Sequence, residues 1–339
     1  MKKITLQPHS LTNADRIFTL TSAPEIKEAL GLQVNTVHDT IDFLQAVMAE
    51  ELEGKTVSRA IINEDGELIG ITTLMFIDRE SGSCSLGTWI GYEYWGQGYN
   101  KASKYAILQT AFAELGLNRV FIGARLVNKR SQAAQKKLPF ITWNVEADYP
   151  DVHAALEKKE GQPCLLNVVY RADFPLVRPA NTEDIPAVQA VARAAWHDTY
   201  EKIIPRPVQD AFLDRAFAVN QLKERFQSLF FVAECGGQVV GFANAVQEGP
   251  NASLQAIYLY PDAQRQGIGT RLLDEMINHL SKPCSITAEV ESGNVSGERF
   301  YETNGFSFVE EYEENFSGHS WHTKRMQRKC GQTKKGVSS

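Results

Sequence analysis

Tyr260-Pro-Asp-Ala-Gln-Arg-Gln-Gly-Ile-Gly-Thr270 is the stretch on which the fold turns. Before it runs Leu254-Gln-Ala-Ile-Tyr-Leu-Tyr260, a β-prone segment that Pro261 ends. After it Leu272, Met276 and Leu280 recur at helical spacing, with Arg271, Asp274 and Asn278 on the other side. A strand therefore passes through a glycine turn straight into a helix. Glycines at 267 and 269 leave backbone amides unobstructed, and the helix N-terminus adds partial positive charge. That combination suits a pyrophosphate, with Arg265 placed to add a charge-assisted contact.

A dinucleotide-binding turn requires a third glycine where this chain has Leu272, and it follows the first strand of a βαβ unit. A P-loop requires Gly-Lys-Ser/Thr, which does not follow here. A purely structural helix cap is the plain alternative. One strand further on, Ser285-Ile-Thr-Ala-Glu-Val-Glu291 leads into Asn294-Val-Ser-Gly-Glu-Arg-Phe-Tyr301-Glu-Thr-Asn-Gly305-Phe306. With 295–303 helical, Gly297 and Tyr301 share a face, and the Tyr301 phenol becomes a candidate general acid for a leaving thiolate. Its plain alternative is a half-buried helix tyrosine.

The first half of the chain repeats this order. Ile4-Thr-Leu-Gln-Pro8 pairs with Leu176-Val-Arg-Pro179, and the hairpin turn Asp65-Gly66 with Gly236-Gly237. Gly98 pairs with Gly267, Asn128 with Asn294, and the amphipathic face Tyr105, Leu108, Phe112, Leu115 with that of the later helix. The offset of roughly 170 residues is duplication at the scale of a domain, not a solenoid repeat. The expected organisation is residues 1–173, 174–328 and a basic flexible tail over 329–339. Each copy is expected to be α/β: a mixed, mostly antiparallel sheet flanked by helices, with a splayed strand pair.

Bulk composition restricts the function. The 339 residues are 43% hydrophobic and 22% charged, as in a globular protein, with no apolar run of membrane-spanning length. The N-terminus lacks the apolar core of a signal peptide. Five dispersed cysteines (Cys84, Cys164, Cys235, Cys284, Cys330) read as reduced thiols of a cytoplasmic protein. No metal is expected, since His319 and His322 have no further ligands at close spacing. A net charge of −6 argues against nucleic acid and favours cationic acceptors such as amines. Neither a membrane partner nor a particular oligomeric state is indicated.

At these motifs the chain is identified as a member of the GNAT superfamily of acyl-CoA N-acyltransferases. The family signature Gln/Arg-x-x-Gly-x-Gly/Ala is met at Gln264, Gly267 and Gly269. Its later signature is met at Asn294, Gly297, Tyr301, Gly305 and Phe306. The resemblance implies acetyl-CoA as cosubstrate, with direct transfer of acetyl to a primary amine of a small molecule or a protein N-terminus. It places the cofactor on Ile257, Tyr258, Leu259, on Gln264, Arg265, Gln266, Gly267, Ile268, Gly269, Thr270, and on Asn294. Tyr301 would be the acid, with Asn294 beside it. Small-amine members of the family resemble the second copy, and there His197, Tyr200, Gln255 and Glu289 would meet the acceptor. Gln255 stands where polyamine-type relatives carry a glutamate and cannot accept a proton, so deprotonation would run through water to Glu248, Glu289 or Glu291.

The first copy resembles the acetyltransferases of ribosomal-protein N-termini. Its cofactor positions would be Trp89, Ile90, Trp95, Gly96, Gln97, Gly98, Tyr99, Asn100, Asn128 and Ser131. It departs from the pattern at Gln135, in place of Tyr301, and at Pro139, in place of a glycine. The rival function is a non-catalytic acyl-CoA sensor or protein-contact module.

Overall fold

The computed structural model describes residues 2–31, 36–201, 204–281, 285–316 and 319–329, with backbone alone over 314–321. Cys284, Cys330, the tail past Lys329 and the side chains of His319 and Trp321 lie outside what is described. The chain forms two compact units, Met1–Phe174 and Pro175–Ser339.

The second unit runs β7 (Leu176–Pro179), α7 (Ile185–Tyr200), α8 (Arg206–Ala216), α9 (Val219–Arg225), β8 (Leu229–Cys235), β9 (Gln238–Glu248), β10 (Asn251–Leu259), α10 (Ile268–Asn278), β11 (Ser285–Glu291), α11 (Val295–Thr303), β12 (Ser307–Phe316) and β13 (His319–Lys329). Its sheet has the order β12-β13-β11-β10-β9-β8-β7, and only β10 and β11 are parallel. Strand alternation makes two apolar faces. Phe230, Val232 and Phe242 pack against Val188, Val191, Ala192 and Trp196 of α7. Phe231, Ala233 and Ala243 pack on the other side against Leu272, Leu273 and Met276 of α10. Arg271, placed outward by the periodicity, is half-buried and donates to the Pro175 carbonyl.

The first unit runs β1 (Ile4–Gln7), α1 (Ala14–Thr21), α2 (Pro24–Leu30), α3 (Val37–Leu52), β2 (Val57–Asn63), β3 (Leu68–Asp78), β4 (Ser83–Ile90), α4 (Tyr99–Gln109), β5 (Arg119–Arg125), α5 (Lys129–Gln135), α6 (Pro150–Glu160) and β6 (Cys164–Tyr170). Its order is β1 to β6 in sequence, with β4 and β5 the parallel pair. Where the second unit has strand β12, the first has α6 and one isolated bridge, Thr142 to Val168. This segment follows Pro139, the last of the first copy's departures from the family pattern.

The entry to α7 is held by charge. Arg178 gives two hydrogen bonds to Asp184 (2.8 and 2.9 Å) and one to Glu234 (3.0 Å), while Asp184 also caps the Asn181 amide. Burial pushes the Asp184 carboxyl up, but Arg178 and the Asn181 N–H outweigh it and hold it below the usual range. A depressed folded pKa contributes stability above the unfolded value and loses it as pH falls through the folded value. Asp184→Asn is therefore expected to cost about 2 kcal/mol at neutral pH. Urea unfolding of both proteins should show that gap narrowing as the solution is acidified, and a pH-independent gap would remove the ion pair as its cause.

Candidate active site

In each unit the parallel pair comes apart. β10 and β11 are paired only over Asn251–Leu254 with Ser285–Ala288, and β4 and β5 only over Ser83–Ser85 with Arg119–Phe121. Beyond those residues β10 follows β9 and β11 follows β13, so a wedge opens between 255–259 and 289–291. A β-bulge between Leu254 and Ala256 begins that departure. The first copy keeps an unbroken β3–β4 register from Gly70–Ile90 to Met75–Ser85 and bulges farther off, near Phe76.

Strand alternation decides which amides line the wedge. The Tyr260 N–H is given to Val240 on β9, which leaves Ile257 and Leu259 facing the opening. In the first copy Gly91 donates to Ile69, so Ile90 and Thr88 face the wedge, and the Trp89 amide faces β3. Thr88 was missed because motif spacing does not reveal strand phase.

The glycine turn lies at the wide end. Gly267 has φ +84° and Arg265 φ +60°, and in the first copy Gly98 has φ +93° and Gly96 φ +76°. Holding a non-glycine residue such as Arg265 left-handed costs about 1–2 kcal/mol, strain of the kind found at functional turns. Gln266 and Gln97 brace the two turns alike, donating to the carbonyls of Asp262 (2.8 Å) and Glu93 (3.0 Å). Neither α10 nor α4 has a side-chain N-cap. The first-turn amides of Ile268, Gly269 and Thr270, like those of Tyr99 and Asn100, are thus left for an anion. A Cβ at Gly267 would meet nothing within 4 Å and would project into that free space. Gly269 serves packing instead, since a Cβ there would lie 3.1 Å from Phe300 and 3.4 Å from Leu259. These residues fit a CoA pyrophosphate and pantetheine.

Side chains of the first turn differ. Gln264 is half-buried, and at the matching position Trp95 donates to the Ile90 carbonyl (2.6 Å) and carries the Arg130 guanidinium 3.4 Å above its ring. Tyr99 is buried and bound to Glu64 (2.8 Å), and Asn100 accepts from Lys104 (2.9 Å). Asn294 and Asn128 are helix caps: each side-chain oxygen accepts the N–H of the third residue on, Gly297 and Ser131, at 2.9 Å.

Tyr301 is 7% exposed and packs on Phe300 and Phe306. Burial, with the Tyr258 phenol nearby, pushes its pKa well above the ordinary tyrosine value, so it remains protonated. Burial raises the Tyr200 phenol, and the Tyr258, Glu291 and Tyr301 groups add to the rise. Trp196 lies 4.8 Å from Tyr200 and stacks on Phe212 at 4.4 Å. His197 is turned elsewhere, bound to Asp210 (2.9 Å), which also holds Arg193 (2.6 Å); this ties α7 to α8. Gln255 is exposed on the bulge and donates to Ser253 (2.9 Å). Glu289 is held by Tyr312 (2.6 Å) and Arg325 (3.2 Å).

In the first copy Gln135, 1% exposed, occupies the place of Tyr301 and accepts from Asn167 (2.8 Å). Counted from the capping asparagines, Arg125 stands where the second copy has Glu291. It is bound to Glu160 of α6 (2.6 Å) and to the Leu30 carbonyl (3.2 Å). Leu156 of α6 presses on Gly123, where a Cβ would approach it to 2.5 Å. Helix α6 therefore covers the face of β5 that β11 leaves to Tyr200 and Glu291.

Comparison with known proteins places both units in one family. Residues 3–141 match the family described as "Acetyltransferase (GNAT) domain", and residues 190–306 the "Acetyltransferase (GNAT) family". The chain belongs to the GNAT N-acetyltransferases. Members move an acetyl group from acetyl-CoA to an amine, and this chain carries the fold twice. It is 27% identical over 150 residues to an uncharacterized N-acetyltransferase, p20, of Bacillus licheniformis, covering 44% of this chain and 84% of p20. It is 34% identical over 96 residues to the [ribosomal protein bS18]-alanine N-acetyltransferase of Escherichia coli K12, covering 28% of this chain and 63% of that one. With the putative ribosomal N-acetyltransferase YdaF of Bacillus subtilis it shares 35% over 77 residues, 23% of this chain and 42% of YdaF. Among solved structures it resembles the PaiA N-acetyltransferase of Thermoplasma acidophilum in complex with coenzyme A, at 24% identity and TM-score 0.39, covering 45% of this chain and 98% of that one. Among the described residues no group of three or more His, Cys, Asp and Glu is placed to hold a metal, and no helix is long and apolar enough to cross a membrane.

Proposed function

We propose that the second copy performs the transfer, to a primary amine by direct attack, and that the first copy holds CoA without turning it over. The observation that carries this reading is the contrast at one position: a buried, protonated Tyr301 at the wedge in one copy, and Gln135 locked to Asn167 in the other. Acetyl-CoA supplies an activated thioester. The chain supplies the rest: bare amides at the glycine turn fix the pyrophosphate, Ile257 and Leu259 run along the pantetheine, and Tyr301 protonates the leaving sulfur. Positioning two substrates in one wedge accounts for much of the rate, because no covalent enzyme intermediate is needed.

The acceptor class we favour for the second copy is a small amine, as in the family members it resembles. In the first copy the likeness to ribosomal N-terminal acetyltransferases extends to the cofactor turn, while α6 covers the acceptor side. Thiol release from acetyl-CoA with spermidine, 2-phenylethylamine, n-hexylamine and an N-terminal alanyl peptide is the test. Acetylated product is expected with at least one small amine, and product with the peptide alone would replace the small-amine assignment.

A further inference from the structure

We infer that Glu291 is the base that takes the proton of a primary ammonium acceptor. This rests on the second copy being the transferring one.

Three carboxylates compete for the role, and their surroundings separate them. Glu248 is exposed and sits opposite Asn251, at the closed end of the wedge. Glu289 is exposed and already engaged by Arg325 and Tyr312. Glu291 ends β11, past the point where β10 has departed, and its Oε2 is buried without a hydrogen-bond partner. A buried carboxylate oxygen left unpaired is costly, so a ligand that supplies a donor there gains what the protein forgoes.

The groups facing Glu291 are neutral. Tyr200 of α7 is close enough for its phenol to feel the Glu291 carboxylate. Thr323 is its register partner on β13. Lys324, beside Thr323, is bound to Glu298 (2.9 and 3.0 Å). Arg225, which bears on Tyr258, donates to Asn244 and lies over Phe217 and Phe230. Burial raises the Glu291 carboxyl above its ordinary value, toward the range where it can both take and release a proton. A buried carboxylate oxygen without a hydrogen-bond partner is the chemistry that attracts an ammonium. Arg125, at the matching place in the first copy, reverses the charge, which fits a copy that takes no amine.

The proton and bond changes balance. The acceptor enters as R–NH3+, and Glu291 takes one proton. The freed amine nitrogen attacks the thioester carbon; the C–N bond forms, the C–S bond breaks, and the sulfur takes the Tyr301 proton. The surplus N–H proton then restores the Tyr301 phenol, and Glu291 returns its own to solvent. The products are amide, thiol and one proton.

The test uses the full chain, Glu291→Gln and Glu291→Asp, with folding checked by thermal unfolding. In the ligand-free proteins, infrared difference titration should show one carboxyl that ionises above the ordinary glutamate range in the wild type and is missing from Glu291→Gln. With the best amine from the panel, kcat should fall about 100-fold in Glu291→Gln and recover in part in Glu291→Asp. The acid limb of kcat/KM should flatten in Glu291→Gln, and acetyl-CoA affinity by calorimetry should not move. Wild-type turnover that Glu291→Gln leaves intact, with the same pH profile, overturns the inference alone. No turnover of any amine by the wild type overturns the assignment of the second copy, and the inference with it.

Discussion

Replacing Tyr301 with phenylalanine is expected to lower kcat by roughly 100- to 1,000-fold while leaving acetyl-CoA affinity within about twofold, since general acid catalysis contributes on that scale. In the proposed mechanism the phenol acts on the leaving sulfur, while the nucleotide falls to the turn amides at the start of α10, which has no side-chain cap. Phenylalanine keeps the ring contacts with Phe300 and Phe306, so the cavity stays filled and folding is spared. Because burial keeps the phenol protonated, its ionisation does not limit the rate on the acid side. That limb belongs to a group that must lose a proton, and rate should rise as pH climbs through that group's pKa. Steady-state kinetics beside calorimetric titration checks both halves. A variant that retains its kcat would take Tyr301 out of the acid role, and one that loses CoA affinity would make it a binding residue.

How much of this was readable in the chain depends on whether the physics is local. The glycine turns were, because a left-handed residue, a proline-ended strand and a helix start all leave marks within a dozen residues. Helix α11 was as well, being placed by its capping Asn294 and the spacing to Tyr301. The role of each carboxylate was not. Glu289 and Glu291 are two residues apart on one strand and look equivalent in sequence. Tyr312 and Arg325, on the two following strands, bind the first and leave the second unpartnered, and only the folded sheet reveals that. His197 failed as an acceptor-site residue for the same reason: Asp210, one helix away, claims it. The cover that α6 places over one face of β5 was equally hidden, since it follows from Leu156 meeting Gly123 across 33 positions of chain.

The proposed division of labour separates binding from chemistry on one scaffold. The cofactor turn relies on backbone conformation, which tolerates side-chain drift: Gly96 and Arg265 hold the same left-handed geometry, and Trp95 and Gln264 occupy the same corner. Proton transfer relies on particular side chains at particular points, and there the first copy has Gln135 and Arg125. On the proposed function, loss of two side chains after duplication would leave a domain that holds CoA without turning it over.

That division is open to direct measurement, and the effect expected is large. Gly267→Val should weaken acetyl-CoA binding at the second copy by about 2 kcal/mol, roughly thirtyfold, because a β-branched residue is strained at φ +84°. Its side chain would also occupy open space at the N-cap of α10, where the pyrophosphate is proposed to sit. Gly98→Val, at φ +93° with only the Lys2 side chain near (3.8 Å), should do the same at the first copy. Calorimetric titration of the full chain is expected to report two sites, one lost with each glycine, and turnover lost with Gly267→Val alone. A single site that disappears only in Gly267→Val would mean that the first copy's turn, with Arg130 lying over Trp95, no longer admits the nucleotide. Turnover falling in Gly98→Val as well would show instead that the first copy contributes to catalysis, and the Gln135 and Arg125 argument would then have to be abandoned.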